Sequence, residues 1–174
     1  MIKASEEIAA FVEEPTPEKI VPTMEDLEGI VDLLLRLKKL NEEFDSHFMV
    51  SEEAHKHAIE YLNEAIQDGE GRMLFVAENA GKIRAFLEVM IMRRIYYSPE
   101  LEARILEFYV MPEFRAKGVG RKMLREVIRE LNERNILLIG AEFPSANLIA
   151  KNFYEKSGFK QVISVYFKNL EEKK

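Results

Sequence analysis

The chain has 174 residues, 47% hydrophobic and 32% charged, with a formal net charge of −6 and no cysteine. This length and apolar content fill one sizeable core, so a single domain is expected. The acidic balance argues against a nucleic-acid-binding surface, and the missing thiols exclude disulfides, thiolate metal sites and a cysteine nucleophile. Apolar stretches such as residues 8–12 and 136–139 fall far short of the ~20 residues that span a bilayer, and residues 1–12 carry no basic-then-apolar export signal. A cytoplasmic location without membrane contact follows by default.

Residues 1–18 read as an extension ending in Pro15 and Pro17, with the domain proper over 19–174. Residues 19–22 suit a short first strand. Thr23 and Asp26 make a capping box, and Leu27, Ile30, Val31, Leu34 and Leu37 recur at helical spacing, which predicts a helix over 24–41. Ser51, Glu52 and Glu53 open a second helix, carried by His55, Ala58, Ile59, Leu62 and Ile66 and stopped at Asp68-Gly69. Residues 42–50 between the two are expected to be a mobile connection.

Strands over 72–78 and 82–95 flank the turn Asn79-Ala80-Gly81, with Ala85, Leu87, Val89 and Ile91 alternating, so a hairpin is predicted. A further strand over 103–111 ends at Pro112, which cannot donate to a ladder. Met123, Leu124, Val127, Ile128 and Leu131 then form one helical stripe over 119–132. Residues 136–143 read as a buried strand, 146–156 as a helix closed by Gly158, and 159–169 as a last strand. The order predicts an α/β sandwich, α+β by some schemes, around a mixed sheet.

Residues 112–123 form a basic, glycine-bearing loop between a strand and a helix. Glycines let the backbone turn its N–H groups inward, and the helix adds its positive end, so a diphosphate can be bound there. Arg115, Lys117 and Arg121 supply screening charge. Two other phosphate loops are excluded. A dinucleotide fingerprint needs a third glycine where Met123 stands, and a Walker loop needs Gly-Lys-Ser/Thr where Gly120-Arg121-Lys122-Met123 stands.

Residues 107–120, Glu-Phe-Tyr-Val-Met-Pro-Glu-Phe-Arg-Ala-Lys-Gly-Val-Gly, resemble the acetyl-CoA motif of the GNAT superfamily, with Arg115, Gly118 and Gly120 on its defining positions. Asn147, Ala150 and residues 153–159, Phe-Tyr-Glu-Lys-Ser-Gly-Phe, resemble its second motif. The resemblance covers about residues 19–167, and Ala116 stands where a glycine is usual. It implies a mixed, mainly antiparallel sheet flanked by helices, with a splay between strands four and five. It further implies acetyl-CoA as co-substrate, no metal, and transfer of the acetyl group to a primary amine by direct attack in a ternary complex.

Under that resemblance, the pantetheine arm lies in the splay and pairs with backbone groups of Phe108 and Val110. An N–H near Phe108 or Tyr109 faces the acetyl oxygen. Arg115, Ala116, Lys117, Gly118, Val119, Gly120 and Arg121 surround the diphosphate, and Asn147 and Asn152 touch the arm from the last helix. Tyr154 corresponds to the family's tyrosine that protonates the leaving sulfur. Its free pKa of about 10 exceeds a thiol's of about 8.5, so hydrogen bonding to the thiolate suffices. The plain alternative for Tyr154 is aromatic packing beside Phe153.

The reaction needs a neutral amine. An α-amine of pKa about 8 is roughly a tenth neutral near pH 7, whereas a lysine-type amine of about 10.4 costs about 4–5 kcal/mol to deprotonate. A base matters far more for the second. Glu142 and Glu107 are the carboxylates near the expected gap, and the sequence does not choose between them; equally, both can be mere surface or salt-bridge groups. His47, His55 and His57 do not converge on a metal, because an i,i+2 pair does not share a helix face. Glu42, Glu43, Asp45, Glu52 and Glu53 either select a cationic amine or form a solvated charge run.

The acceptor stays open among a protein N-terminus, a lysine and a small amine. A non-catalytic acyl-CoA-binding or partner-binding module on the same scaffold is the rival reading. An edge strand over 159–169 can also pair across a homodimer.

Overall fold

The computed structural model describes residues 16–18, 22–67 and 71–170. Most of the predicted 19–22 strand and the Asp68-Gly69 helix stop lie outside the described residues. The first strand is β1 (Thr16–Glu18), inside the stretch read as an extension, and it pairs antiparallel with β2 (Arg72–Asn79). Residues 16–18 are therefore part of the sheet.

Helix α1 spans Leu27–Phe44, beginning and ending later than predicted. Its capping pair forms in one direction only: the Asp26 carboxylate accepts from the Thr23 N–H at 3.0 Å and from its hydroxyl at 3.2 Å. A cap contributes about 1 kcal/mol. Six apolar residues of α1 are buried, including Ile30, Leu33 and Leu37, at about 1.5–3 kcal/mol each, so packing holds this helix.

The expected mobile connection over 42–50 is not what forms. Residues 42–44 complete α1, and the Asp45 carboxylate then accepts from the His47 amide at 2.9 Å to start a 3-10 turn, Ser46–Phe48. Side-chain capping supplies the order that hydropathy periodicity cannot signal. Helix α2 (Ala54–Gln67) buries Ala58, Leu62 and Ala65, while His55 points to solvent.

Strands β2, β3 (Lys82–Arg93), β4 (Leu101–Val110) and β5 (Ile139–Ala141) continue the sheet in the order β1-β2-β3-β4-β5. All neighbours are antiparallel except β4 and β5, which are parallel. The β2–β3 hairpin turns on Ala80 and Gly81, both with positive φ (52° and 70°), the combination a two-residue type I′ turn requires. Helices α3 (Val119–Glu133) and α4 (Leu148–Lys156) follow β4 and β5.

The sheet separates two cores. On one face Phe75, Leu87, Val89 and Ile105 pack under Met123, Leu124, Val127 and Leu131 of α3. On the other, Leu74, Val76, Phe86 and Tyr109 pack under α1 and α2. Ile128, expected in the α3 stripe, is exposed at its rim.

Two expected strands need correction. Residues 136–143 yield only the three residues of β5. Residues 160–169 of the expected last strand are exposed and belong to no strand. A strand exists only where another edge satisfies its backbone groups, and this segment reaches no edge of its own sheet.

Candidate active site

The site is shaped by two irregularities of β4. The first is a bulge. Glu88 of β3 pairs with Glu107 and Val89 with Ile105, which leaves Leu106 as an extra residue. The bulge inverts the alternation along the strand: Ala103 and Ile105 face the α3 core, and so do Phe108 and Val110. Glu107 and Tyr109 are thereby turned toward α1 and α2.

The second irregularity is the loss of a neighbour. β5 pairs with β4 only from Ala103 to Ile105, while β4 runs on to Val110. Beyond Ile105 one edge of β4 has no strand beside it among the described residues. On its other edge the Met111 N–H donates to Arg84 O at 3.0 Å, so by strand alternation Val110 and Phe108 direct their backbone groups into the gap and Tyr109 toward β3. Arg115 Nε donates to the Val110 carbonyl at 2.8 Å, which confirms the direction of that group and partly occupies it.

At the end of the gap the chain tightens into the loop before α3. Ala116 (φ 61°) and Gly118 (φ 84°) both lie in the left-handed region, and Gly118 is the N-cap of α3 without a side-chain capping bond. The first amides of a helix have no intrahelical acceptor, so those of Val119, Gly120 and Arg121 are free to face an anion. A Cβ on Gly118 would meet nothing within 4 Å, so space as well as direction suits a diphosphate.

Gly120 is different. A Cβ there would lie 3.4 Å from Phe153 and 3.5 Å from Phe108, ordinary van der Waals contact, so the packing of α3 on those rings does not itself demand glycine. The Arg115 guanidinium lies over Tyr109 and the Lys117 ammonium over Phe114, at 5.3 and 5.5 Å. Val119 is in the core, and Arg121 is exposed.

Tyr154 sits on α4 with its ring buried, stacked on Phe143 at 5.3 Å and flanked by Phe153 and Phe159. The aromatic packing reading therefore holds for its ring. Burial pushes its phenol above the ordinary value of 10. Asn147 caps α4, its side-chain oxygen accepting from the Ala150 amide at 3.0 Å, and Asn152 is exposed.

The two candidate carboxylates have unlike surroundings. Glu142 immediately follows β5, is largely exposed, and lies 3.7 Å from Arg104. Glu107 has only 14% of its side chain exposed and is ion-paired with Lys38 of α1. Burial raises the Glu107 pKa above its ordinary 4.5; Lys38 opposes the rise and Glu142 adds to it.

Beneath this pair lies a cluster that sequence reasoning missed. Glu88, fully buried, accepts a 2.5 Å hydrogen bond from the Tyr61 hydroxyl, and Arg72 covers the Tyr61 ring at 4.6 Å. The other Glu88 oxygen has no partner. Burial raises its pKa most, and Glu107 adds to the rise. The available signal was a lone carboxylate in the apolar run Phe86-Leu87-Glu88-Val89-Met90.

The acidic residues between the first helices are engaged locally: Glu42 with Lys39, Asp45 with His47, and Glu53 with His57. Among the described residues no three His, Cys, Asp or Glu converge, and no helix is long and apolar enough to cross a membrane. A surface cleft of about 390 Å³ lies between α1 and the β2–β3 turn, lined by none of Glu107, Phe108 or Tyr154.

Residues 37–159 match the model of the acetyltransferase (GNAT) family. The chain belongs to this family, and is an acyl-CoA-dependent N-acetyltransferase. It is 34% identical over 61 residues to a ribosomal protein bS18-alanine N-acetyltransferase of Haemophilus ducreyi, a match covering 35% of this chain and 42% of that protein. To the Escherichia coli K12 protein of the same name it is 25% identical over 114 residues, covering 66% and 72%. Its fold is shared with a predicted acetyltransferase from Clostridium acetobutylicum crystallised with acetyl-CoA. That likeness has a TM-score of 0.69 at 20% identity and covers 86% of this chain and 93% of the other.

Proposed function

We propose that this chain transfers the acetyl group of acetyl-CoA to a primary amine by direct attack in a ternary complex, with a protein N-terminus as the acceptor. The Glu107–Lys38 pair beside the gap carries the reading, because there a mostly buried carboxylate already holds an ammonium group. An acceptor in its ammonium form has the chemistry of Lys38 Nζ and competes for the same carboxylate. Lys38 is 40% exposed and withdraws to solvent at small cost.

Glu107 then accepts the acceptor's proton, helped by a pKa raised toward the working range. The new C–N bond forms as the C–S bond breaks, and the electron pair leaves on sulfur. The Phe108 N–H, directed into the gap, stabilises the charge that develops on the acetyl oxygen. Among the described residues no hydrogen-bond partner meets the Tyr154 hydroxyl, which leaves it free for the departing sulfur. Its raised pKa favours donation of a hydrogen bond over full proton transfer.

The amides of Val119, Gly120 and Arg121 hold the diphosphate in the turn made by Ala116 and Gly118, with Lys117 and Arg121 screening charge. Asn147, whose oxygen caps α4, has its NH₂ left for the pantetheine arm, and Asn152 lines the same side. The relatives' names support an N-terminal α-amine as acceptor, and the lower cost of deprotonating it points the same way.

The test gives the purified chain acetyl-CoA with three acceptors: a peptide with a free alanine N-terminus, the same peptide N-blocked but bearing lysine, and a polyamine. Product mass and thiol release are both followed. Fastest acetylation of the free N-terminus is expected. Product only on lysine or polyamine would reassign the acceptor. Bound acetyl-CoA with no product on any amine would leave the binding-module reading standing.

A further inference from the structure

Glu88 has no part in the chemistry proposed above, yet it is built into the same spot. In the β3–β4 pairing it stands directly opposite Glu107, at the bulge, so both carboxyl groups leave the sheet on the same face. Side chains so opposed lie about 4.5–5.5 Å apart at Cβ. Glu88 is 0% exposed, against 14% for the Glu107 side chain. Two like charges at that spacing, one of them fully dry, do not both form at modest cost. Over the range in which one ionises, the other keeps its proton, and the surroundings decide which.

Glu107 is ion-paired with Lys38 of α1, and Glu142, beyond β5, is a further carboxylate that acts on it. Around Glu88 the facing groups are Tyr61 of α2, Arg72 of β2, Glu107 of β4 and Lys38 of α1. Tyr61 donates to Glu88 Oε1 at 2.5 Å, and burial pushes the phenol up, so it stays a donor. Arg72 is the natural partner for an ionised Glu88. Instead its guanidinium lies over the Tyr61 ring at 4.6 Å, and Arg72 Nη1 and Glu88 Oε2 are each buried without a hydrogen-bond partner among the described residues. A neutral acid fits the Glu88 side of this arrangement: Oε1 accepts from Tyr61 and Oε2 carries the proton. Burial raises the Glu88 pKa and Glu107 adds to the rise, in line with that state. The acceptor for the Oε2 proton is then the carboxylate directly across the strand pair.

We propose that Glu88 is a positioning residue for the base: clamped by Tyr61, its carboxylic acid turns the Oε2–H across the strand pair to the Glu107 carboxylate and holds that group ionised beside Lys38. The role builds on Glu107 as the proposed base and adds what keeps that base ready. Burial works to protonate Glu107, and an acceptor that takes the place of Lys38 removes its ion pair in every turnover. A neutral donor on the opposite strand offsets burial without adding a second charge, and it stays when Lys38 leaves.

The ionisation of Glu107 can be followed in two ways, by carbon NMR of its side-chain carboxyl group and by the acidic limb of kcat/KM. The NMR signal is assigned by its loss in Glu107→Gln. Glu88→Met removes the donor and is expected to move both titrations to higher pH. On that limb kcat/KM should fall about tenfold, the lower end of what a hydrogen bond to a charged group contributes. Glu88→Gln keeps a neutral donor in the same place and is expected to bring both titrations back to the wild-type position. Tyr61→Phe frees the acid from its clamp; a smaller upward move is expected, and it serves as the test where Glu88→Met does not fold. In the wild type, the Glu88 carboxyl signal should keep its neutral-acid position while Glu107 titrates. A downward move with both Glu88 substitutions would make Glu88 a charged neighbour, and no move with either would leave it a space-filling residue; each overturns the proposal. An NMR titration that moves while the kcat/KM limb stays put supports the contact and removes Glu107 as the base instead.

Discussion

The two halves of β4 are built from similar residues but live in different surroundings. From Ala103 to Ile105 the strand has β3 on one edge and β5 on the other; from Leu106 to Val110 it has β3 alone. The first half is ordinary sheet. The second half, after the bulge at Leu106, turns Glu107 to the α1 side and leaves backbone groups of Phe108 and Val110 open to the gap. The difference marks where the proposed reactive surface lies: at the point where regular pairing stops and backbone groups are left without a strand partner.

The sharpest way to break that comparison is to remove the carboxylate the bulge delivers. Glu107→Gln is expected to lower kcat/KM by about 10²–10⁴-fold, the usual range for a general base. Glu142→Gln, on the exposed residue beyond β5, should stay within about threefold; equal losses for both would mean that burial does not select the base. Next in size is Tyr154→Phe. With its ring packing preserved, kcat should fall roughly 10- to 100-fold while acetyl-CoA affinity by calorimetry is kept. Full activity in that variant removes Tyr154 from the chemistry.

A smaller effect is expected at the mouth of the gap. Gly118→Ala places a Cβ at φ 84°, which costs about 1–2 kcal/mol, and should weaken acetyl-CoA about 5- to 30-fold or destabilise the fold by the same amount. Thermal melts with and without the ligand separate the two outcomes. Lys38→Gln tests the electrostatics. Lys38 lowers the Glu107 pKa, so its loss should move the acidic limb of the kcat/KM profile to higher pH. A limb that stays in place would detach Glu107 from the profile.

The smallest effect belongs to Glu88, on the neighbouring strand and opposite the bulge. Burial raises its folded pKa above 4.5, so the folded state binds its proton more tightly than the unfolded chain does. The resulting stability is complete below pH 4.5 and is lost as pH rises through the folded pKa. Glu88→Gln should therefore gain on wild type in Tm, followed by thermal melts, as pH rises above the ordinary 4.5. A constant difference across that range would mean the carboxyl is not protonated in the fold.

Much of this was legible in order and kind. The helical stripe Leu27, Ile30, Val31, Leu34, Leu37 is buried as its spacing requires, and Ala85, Leu87 and Val89 share one face of β3. The loop from Arg115 to Gly120 sits between a strand and a helix, where its letters placed it. Glu88, Tyr61 and Arg72 were not legible as a cluster. They come from three elements, and only their packing brings them into contact. Residues 159–169 misled for a related reason: their β-branched and aromatic content is genuine strand chemistry, but composition does not name the edge a strand will pair with.

By itself the sequence determined the period of the main helices and of the β2–β3 hairpin, the glycines at the left-handed positions 81, 118 and 158, and the presence of a basic, glycine-bearing loop before α3. These are local properties, set by side-chain spacing and by backbone torsions within a few residues. Tertiary structure alone decided which carboxylate is buried beside the gap, which backbone groups are left unpaired, and whether residues 159–169 find an edge. Those outcomes depend on one bulge and one early strand end, and a register shift of a single residue reverses every side chain beyond it.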